Sequence, residues 1–142
     1  MADVSLSKTR TILRKTLARG REMELKPLSV VVLDSGGHVK GFEREDGASP
    51  GRFAIALGKA YGAVMLGMGG KAQMQRAEDQ AYFMTAMNGA FQGRVVPVPG
   101  GVLIRNGRGE VIGAVGVTGD TSDNDAEAAL AGIAAAGLTG EG

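Results

Sequence analysis

Leu28-Ser29-Val30-Val31-Val32-Leu33-Asp34-Ser35-Gly36-Gly37-His38-Val39-Lys40-Gly41-Phe42-Glu43-Arg44 is the segment whose reading decides the fold. An aliphatic run, Leu28 to Leu33, meets the turn Asp34 to Gly37, and Val39 to Arg44 returns beyond it. β-Branched side chains favour a pleated backbone, and a glycine-rich turn reverses it within a few residues, so the segment predicts a β-hairpin. Downstream, Val102 to Ile104, the turn Asn106-Gly107-Arg108-Gly109 and Val111 to Thr118 repeat the pattern. Hairpins join antiparallel strands, whereas parallel strands need long crossovers, so a doubly wound parallel sheet is excluded.

Helices fill the intervals. From about Ser5 to Met23, Leu6, Leu13 and Leu17 recur at spacings of seven and four, with Ile12 beside them. Pro27 separates this helix from the first strand. Ser49-Pro50 opens a second helix, with Ser as N-cap and Pro at the first helical position. Phe53, Leu57, Tyr61 and Val64 form its apolar stripe, and Gly67, Gly69 and Gly70 end it. A third helix, about Lys71 to Phe91, carries Met74, Ala77, Ala81 and Met84 on one stripe, and a last one runs from near Ser122 to about Gly137. The expected fold is α/β in the loose, α+β-like sense. It is one domain over residues 1–142, with a central, mainly antiparallel sheet of two hairpins flanked by helices.

Composition narrows the function. Without cysteine there is no disulfide, thiolate metal site or cysteine nucleophile, and with His38 as the one histidine a protein-only zinc site is not expected. Sixteen Lys and Arg against fifteen Asp and Glu leave a net charge of +1, too neutral to favour nucleic acid or an anionic membrane. No run of about 18 apolar residues marks a membrane span, and the opening Met1-Ala2-Asp3-Val4 lacks a signal-peptide core, so the cytoplasm is the expected compartment.

Four constellations stand out. In Val96-Pro97-Val98-Pro99-Gly100-Gly101 two prolines remove donors, and two glycines allow a reversal that bares backbone N–H groups to an anion or carbonyl oxygen. The plainer reading is a rigid lead-in to a strand. In Gly119-Asp120-Thr121-Ser122-Asp123-Asn124-Asp125-Ala126-Glu127, Ser122 and Asp125 resemble a capping box, and acids suit a helix N-terminus. Asp120, Asp125 or Glu127 at that junction also offers a general base. Arg52 and Lys59, seven apart on the second helix, read either as a solvated face opposite Leu57 or as a cationic pair for a carboxylate or tetrapyrrole propionates. His38 sits at a hairpin tip, where histidine is usually just exposed. His38, Tyr61, Tyr82 and the seven methionines are the side chains that permit haem ligation.

Val31-Val32-Leu33-Asp34-Ser35-Gly36-Gly37-His38, Asp46-Gly47-Ala48, Lys59-Ala60-Tyr61, Val96-Pro97-Val98-Pro99-Gly100-Gly101-Val102 and Val111-Ile112-Gly113-Ala114-Val115-Gly116-Val117 with Gly119-Asp120, in this order, resemble the GlcG/HbpS family. The resemblance implies a central antiparallel sheet flanked by helices and assembly into homo-oligomers, often octamers. It implies haem binding or degradation as the name-giving activity. It carries the family's motifs onto the Lys59 helix, the Pro99-Gly100-Gly101 loop, the Asp120 to Glu127 junction and His38.

The expectation is therefore a homo-oligomeric domain that binds a small ligand, haem or another tetrapyrrole, through His38, Arg52, Tyr61, Pro99, Gly100 and Gly101. The alternative is a cofactor-independent lyase or isomerase acting on a small organic acid or aromatic catabolite. There Lys59 or Arg52 would hold a carboxylate, Gly100 and Gly101 would stabilise an oxyanion, and Asp120, Asp125 or Glu127 would be the base. A third reading is an accessory oligomer with no ligand.

Overall fold

The computed structural model describes residues 2–142. In chain order it contains α1 (Leu6–Glu22), β1 (Ser29–Asp34), β2 (Val39–Arg44), α2 (Arg52–Leu66), α3 (Gly70–Asp79), α4 (Ala81–Ala90), β3 (Gly101–Arg105), β4 (Val111–Thr118), α5 (Ser122–Ala135) and β5 (Thr139–Glu141). The sheet order is β2-β1-β4-β3-β5, and every neighbouring pair is antiparallel. The two expected hairpins are joined by β1 against β4, with Ser29 opposite Thr118 and Asp34 opposite Gly113.

Helices cover both faces, which explains why β1 reads as an unbroken apolar run rather than an alternation. On one face α1 and α5 pack on Val30, Val32, Val102, Ile104, Val115 and Val117, contributing Ile12, Ala128 and Ile133. On the other, α2 packs on Val31, Leu33, Leu103 and Ala114 through Ala56, Ala60 and Ala63. The stripe expected on α2 is therefore turned. Phe53 is 38% exposed and Leu57, Tyr61 and Val64 are half-buried, while alanine and glycine face the sheet. The cause is how close the helix lies. A Cβ at Gly116 would meet the Ala56 carbonyl, and one at Gly101 would meet the Lys59 carbonyl, so only small residues fit between helix and strands.

Other expectations also shift. The helix foreseen from Lys71 to Phe91 breaks at Gln80 (φ −139°, ψ 62°), whose carbonyl accepts from Phe83 and Met84 N–H to begin α4. No proline or glycine marks this break; Gln73 and Met84 are the side chains the two short helices bury inward. Ser49 does not cap α2. Gly51 holds that position, with no side-chain cap. The α5 N-cap is Thr121 rather than Ser122, its Oγ1 accepting from Asn124 N–H at 3.3 Å. The short β5, absent from the sequence reading, pairs with β3, while β2 leaves an exposed edge. Among the described residues no single helix is long and apolar enough to cross a membrane.

Replacing Gly116 by Val should destabilise the fold by about 1–3 kcal/mol through overpacking against α2. Gly107→Ala, with open space around its turn, should stay within about 0.5 kcal/mol of the parent. Urea denaturation of both variants measures the difference.

Candidate functional site

The sheet-facing side of α2 carries Lys59 as well as alanines, and this side chain is only 3% exposed. Its Nζ donates to the Val117 carbonyl at 2.9 Å and to Asp125 Oδ2 at 3.2 Å. Asp125 is 1% exposed, and its Oδ1 accepts from the Asp120 N–H at 3.0 Å. Gly100, at φ +113°, lies where a Cβ would stand 2.8 Å from Lys59 Nζ, and its carbonyl accepts from Val117 N–H. The solvated-face reading of Lys59 is thus corrected: the ammonium joins α2, β4 and α5 at the end of the sheet. The spacing Ala56, Ala60, Ala63 was the signal that this face turns inward. Burial pushes the Asp125 carboxyl up and the Lys59 ammonium down, and the charge of each partner opposes the other's shift.

Asp125 is consequently a structural acceptor at α5 rather than the reciprocal acid of a Ser122 capping box. Asp120 accepts from the side chain of Asn124 and from the N–H groups of Lys26 and Thr121, which hold its carboxyl at about 2. Glu127 is exposed and pairs with Arg19 at 2.9 Å. Arg52, in the first turn of α2, donates from Nη1 to Thr118 Oγ1 at 2.8 Å and borders a cleft of about 210 Å³ with Lys26, Pro27, Ser49 and Gly119. Pro99, Gly100 and Gly101 are buried, Pro99 against Gly70 at the start of α3 and the two glycines against Lys59 of α2.

The structure therefore gathers Arg52, Lys59, Gly100, Asp120 and Asp125 around the end of β4. His38 and Tyr61 lie elsewhere. His38 stands at the opposite end of β1, its side chain 82% exposed, with Nδ1 3.3 Å from Asp34. Tyr61 is half-buried, edge-on to Phe91 at 5.9 Å, with the Arg94 guanidinium 4.3 Å from its ring centre.

Two apolar grooves that the sequence did not reveal flank residues 93–97. One, about 500 Å³, runs between α3 and α4 and the Val95-Pro97 strap, lined by Ala77, Ala81, Met84, Thr85 and Asn88. The other, about 300 Å³, lies along α2 beside Ile55, Leu57, Arg94 and Val96. The strap is fixed on both sides, by Val96 N–H to the Gly58 carbonyl at 3.2 Å and by Val95 N–H to Asn88 Oδ1 at 2.9 Å. The break at Gln80 and the Val-Pro-Val-Pro spacing shape this surface. Among the described residues no three His, Cys, Asp or Glu side chains converge to hold a metal ion.

One antiparallel sheet between two helical layers, with ligand-sized grooves on the α2–α4 side, defines a small α+β domain. Residues 4–134 match the family described as haem degrading protein HbpS-like, and the chain belongs to that family. It is 32% identical over 134 residues, 92% of either chain, to an uncharacterised 15.0 kDa protein from the dhaT-dhaS intergenic region of Citrobacter freundii. Its fold is that of PduOC, solved as a heme complex (22% identity, TM-score 0.86, covering 96% of this chain and 97% of that one). It is likewise that of HbpS (22% identity, TM-score 0.81, covering 94% and 90%).

Removing one member of a buried ion pair strands the other, at a cost of about 3–5 kcal/mol, whereas exchanging both for apolar residues is often neutral. Lys59→Met should thus show a loss of that size in chemical denaturation, and Lys59→Met with Asp125→Leu should recover most of it. Asp120 supplies a separate pH dependence. Its folded carboxyl lies below the ordinary 3.8, so its contribution is present above that pH and is lost as pH falls towards about 2. Thermal melts across this range should show a smaller acid loss for Asp120→Asn than for the parent.

Proposed function

We propose that this chain binds haem, or another flat tetrapyrrole, in the groove between α3, α4 and residues 95–97. The observation that carries the reading is the groove itself: about 500 Å³, within the range of small-molecule sites, and walled largely by apolar side chains. Haem iron accepts His, Cys, Tyr or Met. Of these, Met84, 5% exposed, is the donor that lines the groove. The residues present fit an apolar macrocycle: Met84 would offer a soft axial sulfur, and Thr85 and Asn88 would supply polar contacts at the wall. His38 and Tyr61, foreseen as ligand contacts, lie outside this lining. Membership of the haem-degrading HbpS-like family and the heme complex of PduOC support the same ligand class.

Assembly is part of the proposal. Helix α4 presents Tyr82, 74% exposed, beside exposed Thr85, Ala86 and Gly89, a small-residue surface on which a second copy would close the groove. The proposed assembly is a homo-oligomer, with the octamer implied by the resemblance as the state to test by light scattering.

Titration with haemin, followed by the Soret band, tests the reading. A saturable shift of one haem per chain is expected, abolished by Thr85→Trp, which fills the groove, and altered in position by the volume-conserving Met84→Leu. A band altered instead by His38→Ala or Tyr61→Phe would move the axial donor to that residue. No saturable shift, or one that survives Thr85→Trp, would exclude the groove as a haem site. Turnover assays on small organic and aromatic acids would then test the lyase or isomerase alternative.

A further inference from the structure

Arg52 is half-buried, and its guanidinium makes no ion pair among the described residues; its partner is the neutral Thr118 hydroxyl. Guanidinium does not lose its charge in proteins, and a charge withdrawn from water is ordinarily paired. Here Asp125, the buried carboxylate at this end of β4, is already committed to the Lys59 ammonium. The first turn of α2 adds to the imbalance, because it contains no acidic residue and has no side-chain cap.

The guanidinium borders the cleft of about 210 Å³ whose wall also includes Lys26, Ser49 and Gly119. The carboxylates of Asp120 and Glu45, close to this cleft in sequence, are engaged elsewhere. Asp120 accepts from Lys26 N–H and Asn124, and Glu45 holds Arg21 and the Leu28 N–H. Beside Thr118, directly opposite it in the sheet and on the same face, is Ser29. It is fully buried, and its Oγ has no hydrogen-bond partner. Buried hydroxyls without partners are uncommon, and this one lies next to the strand position that holds the Arg52–Thr118 contact.

We propose that this cleft is a carboxylate-binding site for a small organic acid of about two to four carbons. The guanidinium offers a planar fork that matches the two oxygens of a carboxylate, and Lys26 supplies a second charge for the same or a second carboxylate. The volume equals about seven waters at ~30 Å³ each, which admits such an acid and is too small for a tetrapyrrole. The site lies at the N-terminal end of α2 and shares no lining residue with the groove assigned to haem, so either assignment stands or falls alone.

The test is an amide NMR titration of the whole chain with sodium succinate, against sodium chloride at matched ionic strength, with sodium phosphate as a third arm. Saturable shifts are expected at Gly47, Ala48, Ser49 and Gly119 with succinate, and weaker, unsaturated ones with chloride. Arg52→Gln should raise the midpoint by about tenfold or more, the size of one lost charge-assisted contact. Lys26→Glu, at an exposed position, should do likewise, and it carries the test should Arg52→Gln fail to fold. Shifts that follow chloride, a midpoint unchanged in the folded variants, or saturation by phosphate without saturation by succinate would overturn the assignment. Haemin binding by the same sample bears only on the groove.

Discussion

The distance between α2 and the sheet governs this molecule. Gly101 and Gly116 give up side chains so that the carbonyls of Lys59 and Ala56 can lie directly over β3 and β4. That proximity forces alanine onto the inner side of the helix, and leaves Leu57, Tyr61 and Val64 half-buried at its margins and Phe53 exposed. The large side chains then become the floor and rim of the outer surface, with Phe42 edge-on to Phe53 at 4.7 Å and Arg94 over Tyr61. Small residues inside and large ones outside reverse the usual helix pattern, and the ligand-sized groove along α2 follows from that reversal.

The same proximity draws Lys59 under cover. An ammonium so placed must find oxygen, and it does so at the Val117 carbonyl and Asp125. Because Asp125 belongs to the helix on the opposite face, the pair couples the two layers at the end of β4. Such a pair adds little net stability over apolar replacements, yet it penalises any arrangement in which α2 and α5 shift relative to each other. Two basic residues seven apart thus have different roles: Lys59 is internal structure, and Arg52 remains at the surface of a cleft.

The sequence revealed the parts whose signals are local. Both hairpins, the extent of α1 and the antiparallel sheet follow from aliphatic runs interrupted by glycine turns, and the structure shows them. The family was equally legible from ordered motifs across the chain. What stayed hidden depends on partners distant in sequence. The orientation of α2 is set by glycines some forty to sixty residues away, at Gly101 and Gly116. The interruption at Gln80 has no proline or glycine to announce it. Three residues, Thr139–Glu141, are too few to show a strand period, and β5 exists because β3 offers an open row of backbone groups. Of the site residues, Lys59 was named for a charge it does not present to solvent. Met84 was read as part of a packing stripe, and its place beneath a groove appears only once the helix breaks.

The sheet ends differently on its two sides. β5 occupies one border. The other, β2, carries Lys40, Glu43 and Arg44 exposed, beside a Val39 that is 50% exposed. Charges along an uncovered strand discourage a stranger's backbone from docking there. During synthesis and refolding, when many copies crowd together, an open border of this kind invites strand pairing between chains. Its charged residues act as a guard against such pairing.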